Sequence, residues 1–268
     1  MKWARRFAIG FLLVVGITCC VPSFFTNFDY ARQYRDLPDA QPTRQHWLGT
    51  DDLGRDRFAR LLYGTRVSLL LAPAAALLAS SLAALIGGPA GFLGGWVEGA
   101  VMASTDLFLS LPWLFLLITV RALLPLNVSP LTSVIITFAL LGCLGWAAAA
   151  RIVCADARVL RHSDFILLAR ASGCGGWRLL FRHLLPNILP VLGAQFWVSI
   201  PLFILTEANL GILGLGVAEP MPSWGSLLRE LESYSSLSSN PWQFVPLILF
   251  ILVVSSFHLV ITNRELPT

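Results

Sequence analysis

Lysine is nearly missing from this chain: Lys2 is the only one in 268 residues, and all charged residues together make up 13%. A soluble domain carries about 25% charged residues. With a mean hydropathy of +0.72, the composition points to a chain that crosses a membrane several times. A phosphate-binding P-loop needs a lysine after its glycines, so no Walker-type ATP site is present. Energy for any work must come from a gradient or from another subunit. The net charge is +4, but no continuous basic tract occurs, so nucleic acid is not an expected partner. The five cysteines (Cys19, Cys20, Cys143, Cys154 and Cys174) are scattered without metal-ligand spacing. They read as small apolar residues, and neither a metal nor a cofactor is expected in the chain. No Ser/His/Asp set, H-E-x-x-H motif or paired membrane aspartates appear, which sets aside an intramembrane enzyme.

What is present is a succession of long uncharged runs. Lys2, Arg5 and Arg6 precede an uncharged run from Phe7 to Phe25. No A-x-A-like cleavage site follows it, and Ile17-Thr18-Cys19 is a poor lipoprotein box. Residues 1–25 therefore read as an uncleaved first span with the N-terminus inside. Residues 26–65 form an external segment. Asn27 to Arg66 contains seven arginines and six aspartates, many arginines for that side although nearly balanced. Within it, Asp51 or Asp52 is the expected helix cap, and Phe58, Leu61 and Leu62 recur at helical spacing. The core, residues 66–262, opens with Val67–Val97, 31 residues without a charge and enough for a tilted span. Gly87, Gly91 and Gly95 fall four apart, a spacing that lets helices approach closely, and Pro89 adds a kink site. A cytoplasmic turn at Glu98 leads to a third span over about Ala100–Leu123. Its Asp106 and Arg121 lie near enough to the ends to snorkel. Pro125–Pro130 makes an external turn, and the fourth span runs from about Leu131 to Ala150.

Residues 151–189 are the expected cytoplasmic loop. Arg151–Pro190 carries six arginines against two aspartates, yet its short helical pieces are crowded with apolar residues. Ser163 as cap and Asp164 in the first turn start one helix, and Gly173 suits the left-handed position that ends it. At about ten residues this helix is too short to cross a bilayer. Phe165, Ile166, Leu167, Leu168 and Ala169 cannot all face one side, so a lipid interface or a protein groove must cover them. After Gly175-Gly176, a second helix over about Trp177–Leu185 places Arg178 and Arg182 four apart, to pair with lipid phosphates or acidic partner groups. Pro186 and Pro190 then restart the chain into a fifth span, about Ile188–Gly216, which holds Glu207. Glu219–Trp242 is external, with three glutamates and only Arg229. A last span, about Phe244–Thr262, leaves residues 263–268, with Arg264 and Glu265, as a cytoplasmic tail. The expected fold class is an all-α membrane protein with six transmembrane helices and both termini cytoplasmic.

Three segments, in order, resemble those of one family. ARASGCGGWRLLFRHLLPNILP is similar to the cytoplasmic EAA loop of ABC-transporter permease subunits. HWLGTDDLGRDRFARLLYGTRVSLL and TEANLGILGLGVAEPMPSWGSLL resemble the H-P-L-G-T-D-x-L-G-R-D and A-E-A-x-L-S-F-L-G-L-G-x-x-x-P-x-P-S-W-G segments of the C-type permease of dipeptide, oligopeptide and nickel importers. The resemblance implies a type I ABC importer-like permease fold in the bacterial cytoplasmic (inner) membrane, surrounded by lipid. It also implies a homologous second permease, two ATP-binding subunits that carry ATP and magnesium, and an external substrate-binding protein. Cargo would be a di- or oligopeptide, or alternatively nickel or another small solute. The docking set would be Ser163, Asp164, Phe165, Leu167, Leu168, Ala169, Arg170, Ala171, Gly173, Arg178 and Arg182, with Glu207 and Asn209 as pathway candidates. Leu167 and Leu168 stand where the motif has its glutamate and first alanine, so either the contact is more apolar or the partner is adapted to it. The family's L-G-D-x-L-R-D tail is replaced by HLVITNREL, beginning at His258. A stand-alone secondary transporter is the rival reading. It needs intramembrane ionisable groups, for which only Glu207 is a fair candidate, and no inverted repeat is evident.

Overall fold

A computed structural model describes residues 2–125, 128–232 and 240–262. Part of the Pro125–Pro130 turn, part of the 219–242 segment and the 263–268 tail lie outside the described residues. Among the described residues the regular structure is helical: α1 (Lys2–Cys20), α2 (Pro22–Phe25), α3 (Arg57–Leu93), α4 (Gly95–Ser110), α5 (Trp113–Leu123), α6 (Pro130–Leu144), α7 (Trp146–Arg161), α8 (Asp164–Ala171), α9 (Gly176–Leu179), α10 (Leu185–Ile212), α11 (Trp224–Arg229) and α12 (Val245–Thr262). Five helical stretches are long and apolar enough to cross a membrane, and the bent pair α4–α5 makes up to six. Apolar side chains such as Phe7, Leu13, Val14 and Ile17 of α1 stay exposed, as expected of a helix that is apolar all round and meets lipid.

Three of the stretches exceed what a bilayer needs. Arg57–Leu93 and Gly176–Ile212 have 37 residues each, and Pro130–Arg161 has 32. At 1.5 Å per residue these are roughly 50–55 Å long against a hydrocarbon core of about 30 Å. Their charged ends, Arg57–Arg66, Arg151–Arg161 and Gly176–Arg182, are the parts free to project into water. The helix after Leu131 thus does not stop at Ala150 but continues through α7 to Arg161. Nor do Pro186 and Pro190 restart the chain. A π-turn at Leu180–Leu184 precedes Pro186 and carries the helix directly into α10. Widening the turn relieves the clash of a proline ring with the carbonyl four residues earlier.

The expected third span is broken. α4 and α5 meet at 86° across Leu111-Pro112, because the residue before a proline is driven out of the helical region. Asp106 and Arg121 accordingly do not sit at the two ends of one rod. Asp106 pairs with Arg151, and Glu98 pairs with Arg158, stitching α4 to α7 two turns apart. Arg121 does not snorkel: it is 1% exposed. Its Nη2 donates to Ser133 Oγ at 3.2 Å and its Nη1 to the Pro125 carbonyl at 3.4 Å.

The chain divides into two compact units, Met1–Ala72 with Arg121–Phe138 and Pro201–Thr268, and Pro73–Val120 with Ala139–Ile200. In the first unit α1 packs on α12, and Trp224 is buried edge-on to Phe250 with ring centres 5.4 Å apart. In the second, α3 packs against α7 at glycine positions. A Cβ on Gly87 would run into the Ala150 carbonyl, and one on Gly91 would meet that of Cys154. Gly95 does not belong to this stripe. Gly94 and Gly95 have φ of +70° and +61°, and there α3 ends and α4 begins.

Candidate docking face and arginine clasp

In the second unit α8 is built as an independent, closed helical turn. Ser163 takes the extended conformation of a cap, φ −71° and ψ 148°, but its Oγ turns back to donate to the Leu160 carbonyl at 2.6 Å. The expected side-chain cap is therefore not made. The Ser163 carbonyl instead accepts the N–H groups of Ile166 and Leu167, at 3.1 and 3.0 Å. Asp164 is in the first turn, where the helix dipole favours a carboxylate. At the far end Gly173, at φ +78°, donates to the Arg170 carbonyl at 3.1 Å, and the Cys174 N–H reaches the Ala169 carbonyl at 3.0 Å. This double bond pattern closes a helix through a left-handed residue, a conformation only glycine takes without strain.

One face of α8 is anchored and the other is bare. Ile166 is fully buried in an apolar cluster with Phe92, Val153, Ala157, Leu184 and Ile188. Phe165, Leu167 and Leu168 are 40%, 47% and 68% exposed, and beyond Gly176 the stacked rings of Trp177 and Phe181 are exposed as well. Arg170, Ala171, Gly173, Arg178 and Arg182 are also on the surface, with Ser163 and Ala169 half-buried. An apolar patch rimmed by arginines, on a segment beyond the apolar spans, has the character of an interaction surface.

In the first unit the 26–65 segment folds into a different kind of site. Asp56, rather than Asp51 or Asp52, caps α3: its Oδ1 accepts the Ala59 N–H at 2.6 Å while Oδ2 meets His46 Nδ1 at 2.7 Å. Asp51 is buried and accepts the Leu53 and Arg55 N–H groups and Arg55 Nε, the last at 2.6 Å. Arg55 also reaches Glu219 at 2.6 Å. Arg60, fully buried, grips both oxygens of Glu219 at 3.1 and 3.3 Å and lies 3.5 Å from both Asp51 and Glu230. Arg57 lies between Asp39 and Glu230, at 3.3 and 3.5 Å. Burial pulls the Glu219 carboxyl up, but Arg60 and Arg55 outweigh it and hold it below its ordinary value. Burial wins at Glu230, which is raised against the pull of Arg60. Burial also works against the charge on Arg55, but Asp51 and Glu219 raise its pKa overall. Three arginines and their carboxylates thus form a clasp that joins residues 39–60 to residues 219–230.

Residues 67–263 match the family of binding-protein-dependent transport system inner membrane components. The chain belongs to this family. The permease is also 32% identical to a putative peptide permease of Brucella suis, over 94% of this chain and 85% of that one. The oligopeptide transport system permease of Bacillus subtilis is 31% identical over 94% and 81%. The nickel transport system permease of Escherichia coli is 35% identical over 97% and 91%. The protein is therefore a multi-pass inner-membrane permease subunit of an ABC importer, a class in which ATP hydrolysis belongs to separate subunits.

In this permease two of the three recognised segments, His46–Leu70 and Thr206–Leu228, meet in the clasp. Glu207 lies beneath it, fully buried. Its Oε2 accepts from Ser68 Oγ at 3.2 Å, and its Oε1 faces Gly225, where an added Cβ would stand 3.0 Å away. Ser68 Oγ also accepts the Trp224 N–H at 3.4 Å, and the indole Nε1 donates to Thr65 at 3.0 Å. Asn209, two residues further along α10 and so on another face of the helix, is exposed. Reasoning from sequence offered Asp51 only as a helix cap and did not single out Arg55, Arg57, Arg60, Glu219 or Glu230. The signal available for them was the near balance of arginine and aspartate in the 26–65 segment.

Proposed function

We propose that this permease moves di- or oligopeptides inward as half of a translocation pathway, and that it receives mechanical work through α8 and the Gly175–Arg182 connection. The supporting observation is the bare apolar face of Phe165, Leu167 and Leu168 on a helix whose opposite face, at Ile166, is locked into the fold. A helix of eight residues is marginal alone, and apolar side chains that the core does not cover gain from burial in a protein groove. The occupant of that face would be an ATP-binding subunit, with a homologous permease as the other half of the pathway and an external binding protein delivering cargo. Both termini are placed on the ATPase side, following the basic N-terminus and the arginines of residues 151–182. Exposed Asn209 is the better placed of the two pathway candidates. Glu207 would act through Ser68 and the Gly225 turn that it supports.

The peptide reading follows the Brucella and Bacillus relatives. The Escherichia coli relative, at 35% identity, favours nickel as the second reading. The test is reconstitution of the full complex in proteoliposomes with the cognate binding protein. Uptake should require ATP on the side that exposes α8, and mass spectrometry of the ligand retained by the binding protein should find peptide. Uptake by this chain alone, driven by an ion gradient, would overturn the importer reading.

A further inference from the structure

The last turn of α3 is held by two arginines from different helices of its own unit. Arg170, one turn after the buried Ile166, sets its guanidinium 5.6 Å from the centre of the Phe92 ring, within cation–π distance. At the next residue of α3, the Leu93 carbonyl accepts Arg161 Nη1 from the end of α7 at 2.9 Å. Cations at a helix C-terminus are favoured by the helix dipole. Gly94 follows at φ +70°, and a Cβ there would overlap the Arg161 guanidinium. Phe92 itself is buried in the same cluster as Ile166. α8 therefore touches α3 twice, once through Ile166 in the core and once through the charge of Arg170 on the ring.

α8 needs such a fastening. Its N-terminal side is bonded to the end of α7, but on the C-terminal side Gly173, Gly175 and Gly176 meet no neighbour within 4 Å where a Cβ would stand. Held by Ile166 alone, α8 could tilt about that residue and part of a push would be taken up in the glycine turn. We propose that Arg170 is a positioning residue that fastens the docking helix to α3 through the Phe92 ring, so that a displacement of α8 is passed to the end of α3. This rests on the reading of α8 as the docking helix. It assigns Arg170 an inward role, distinct from the docking contact expected of it from the sequence.

The experiment uses the complete complex in nanodiscs, measuring complex retention, basal ATP hydrolysis and cargo transported per ATP. Phe92→Leu, buried away from the docking face, should keep the complex and the basal hydrolysis, and Arg170→Gln should keep the complex. Each should lower transport per ATP about two- to five-fold, the range a partly exposed cation–π contact supports. The double variant should be no worse than either single variant. Phe92→Trp and Arg170→Lys should keep most of the coupling, whereas a purely packing role for Phe92 would leave Arg170→Gln unaffected. Wild-type coupling in both single variants would overturn the proposal, as would additive losses. Loss of the complex with Arg170→Gln but not with Phe92→Leu would do the same and would make Arg170 a docking contact. Retention of the complex by a Phe165→Ser, Leu168→Ser double variant would remove the docking reading itself, and the proposal with it.

Discussion

The clasp and the docking face handle charge in opposite ways. In the clasp, Arg55, Arg57 and Arg60 are buried and every one has a carboxylate within 3.5 Å. On the docking face Arg178 and Arg182 are exposed beside apolar side chains that the fold leaves uncovered. Buried ion pairs give little net stability over apolar packing, but losing one partner is costly. An exposed apolar surface gives the fold nothing and is available for association. The clasp thus has the character of internal structure, and the α8 face that of an exposed apolar surface open to association.

The sharpest test of this contrast is removal of one clasp arginine. Arg60→Met should lower stability by about 3 kcal/mol, because Asp51 and Glu230 lose a buried counter-charge. Thermal unfolding of the permease in detergent would register it, and an unchanged midpoint would show that solvent compensates for the clasp. Next in size is the docking face. Phe165→Ser with Leu168→Ser should leave unfolding within about 0.5 kcal/mol of wild type, while weakening co-purification of the ATP-binding subunit at least tenfold or so. A comparable loss of stability would show that the face is covered from within.

The smallest expected effects concern the two clasp glutamates, which should respond to pH with opposite signs. Glu219 is held below its ordinary 4.5, since Arg60 and Arg55 outweigh burial. Its contribution is complete above that value and is lost as pH falls through the lowered folded pKa. Glu230 is raised by burial, so the folded state binds its proton more tightly, and stability falls as pH rises from 4.5 through the raised value. Glu219→Gln should cost about 0.5–1 kcal/mol at pH 7, modest because half of the side chain is in solvent, and should flatten the acid limb. Glu230→Gln should flatten the fall on the other side. Unfolding curves followed from pH 7 down through the acid limb below 4.5 that shift the same way for both variants would refute the assignment.

Much of this was legible in sequence because membrane spans are read from composition. Uncharged runs, the close approach at Gly87 and Gly91 and the left-handed Gly173 that ends α8 carry local physics and appear where that physics puts them, whereas the Ser163 side-chain cap is not made and Gly95 lies at a break between helices. The misplacements have a common origin. Asp51, Asp52 and Asp56 are all able to cap a helix, and only the turn that brings His46 to Asp56 and the Gly49 carbonyl to the Arg57 N–H selects among them. Distance along the chain suggested that Arg121 snorkels, whereas Ser133 and the Pro125 carbonyl hold it inside the fold. Pro112 carried the signal for the bend between α4 and α5, but a proline in an apolar run can also sit within a helix, as Pro73 and Pro89 do in α3.

The sequence by itself determined the class of protein, the apolar spans and the segments that mark its family, because these follow from composition and local spacing. Only the tertiary structure decided which charges are internal. The presence of so many arginines in an external segment becomes intelligible once Glu219 and Glu230, more than 150 residues away, are seen to pair with Arg55, Arg57 and Arg60. The division of α8 into an anchored face and a bare face likewise required the packing of Ile166 against α3 and α7. Long-range pairing of charges and burial of one face over another depend on what the fold brings together, and no local pattern encodes that.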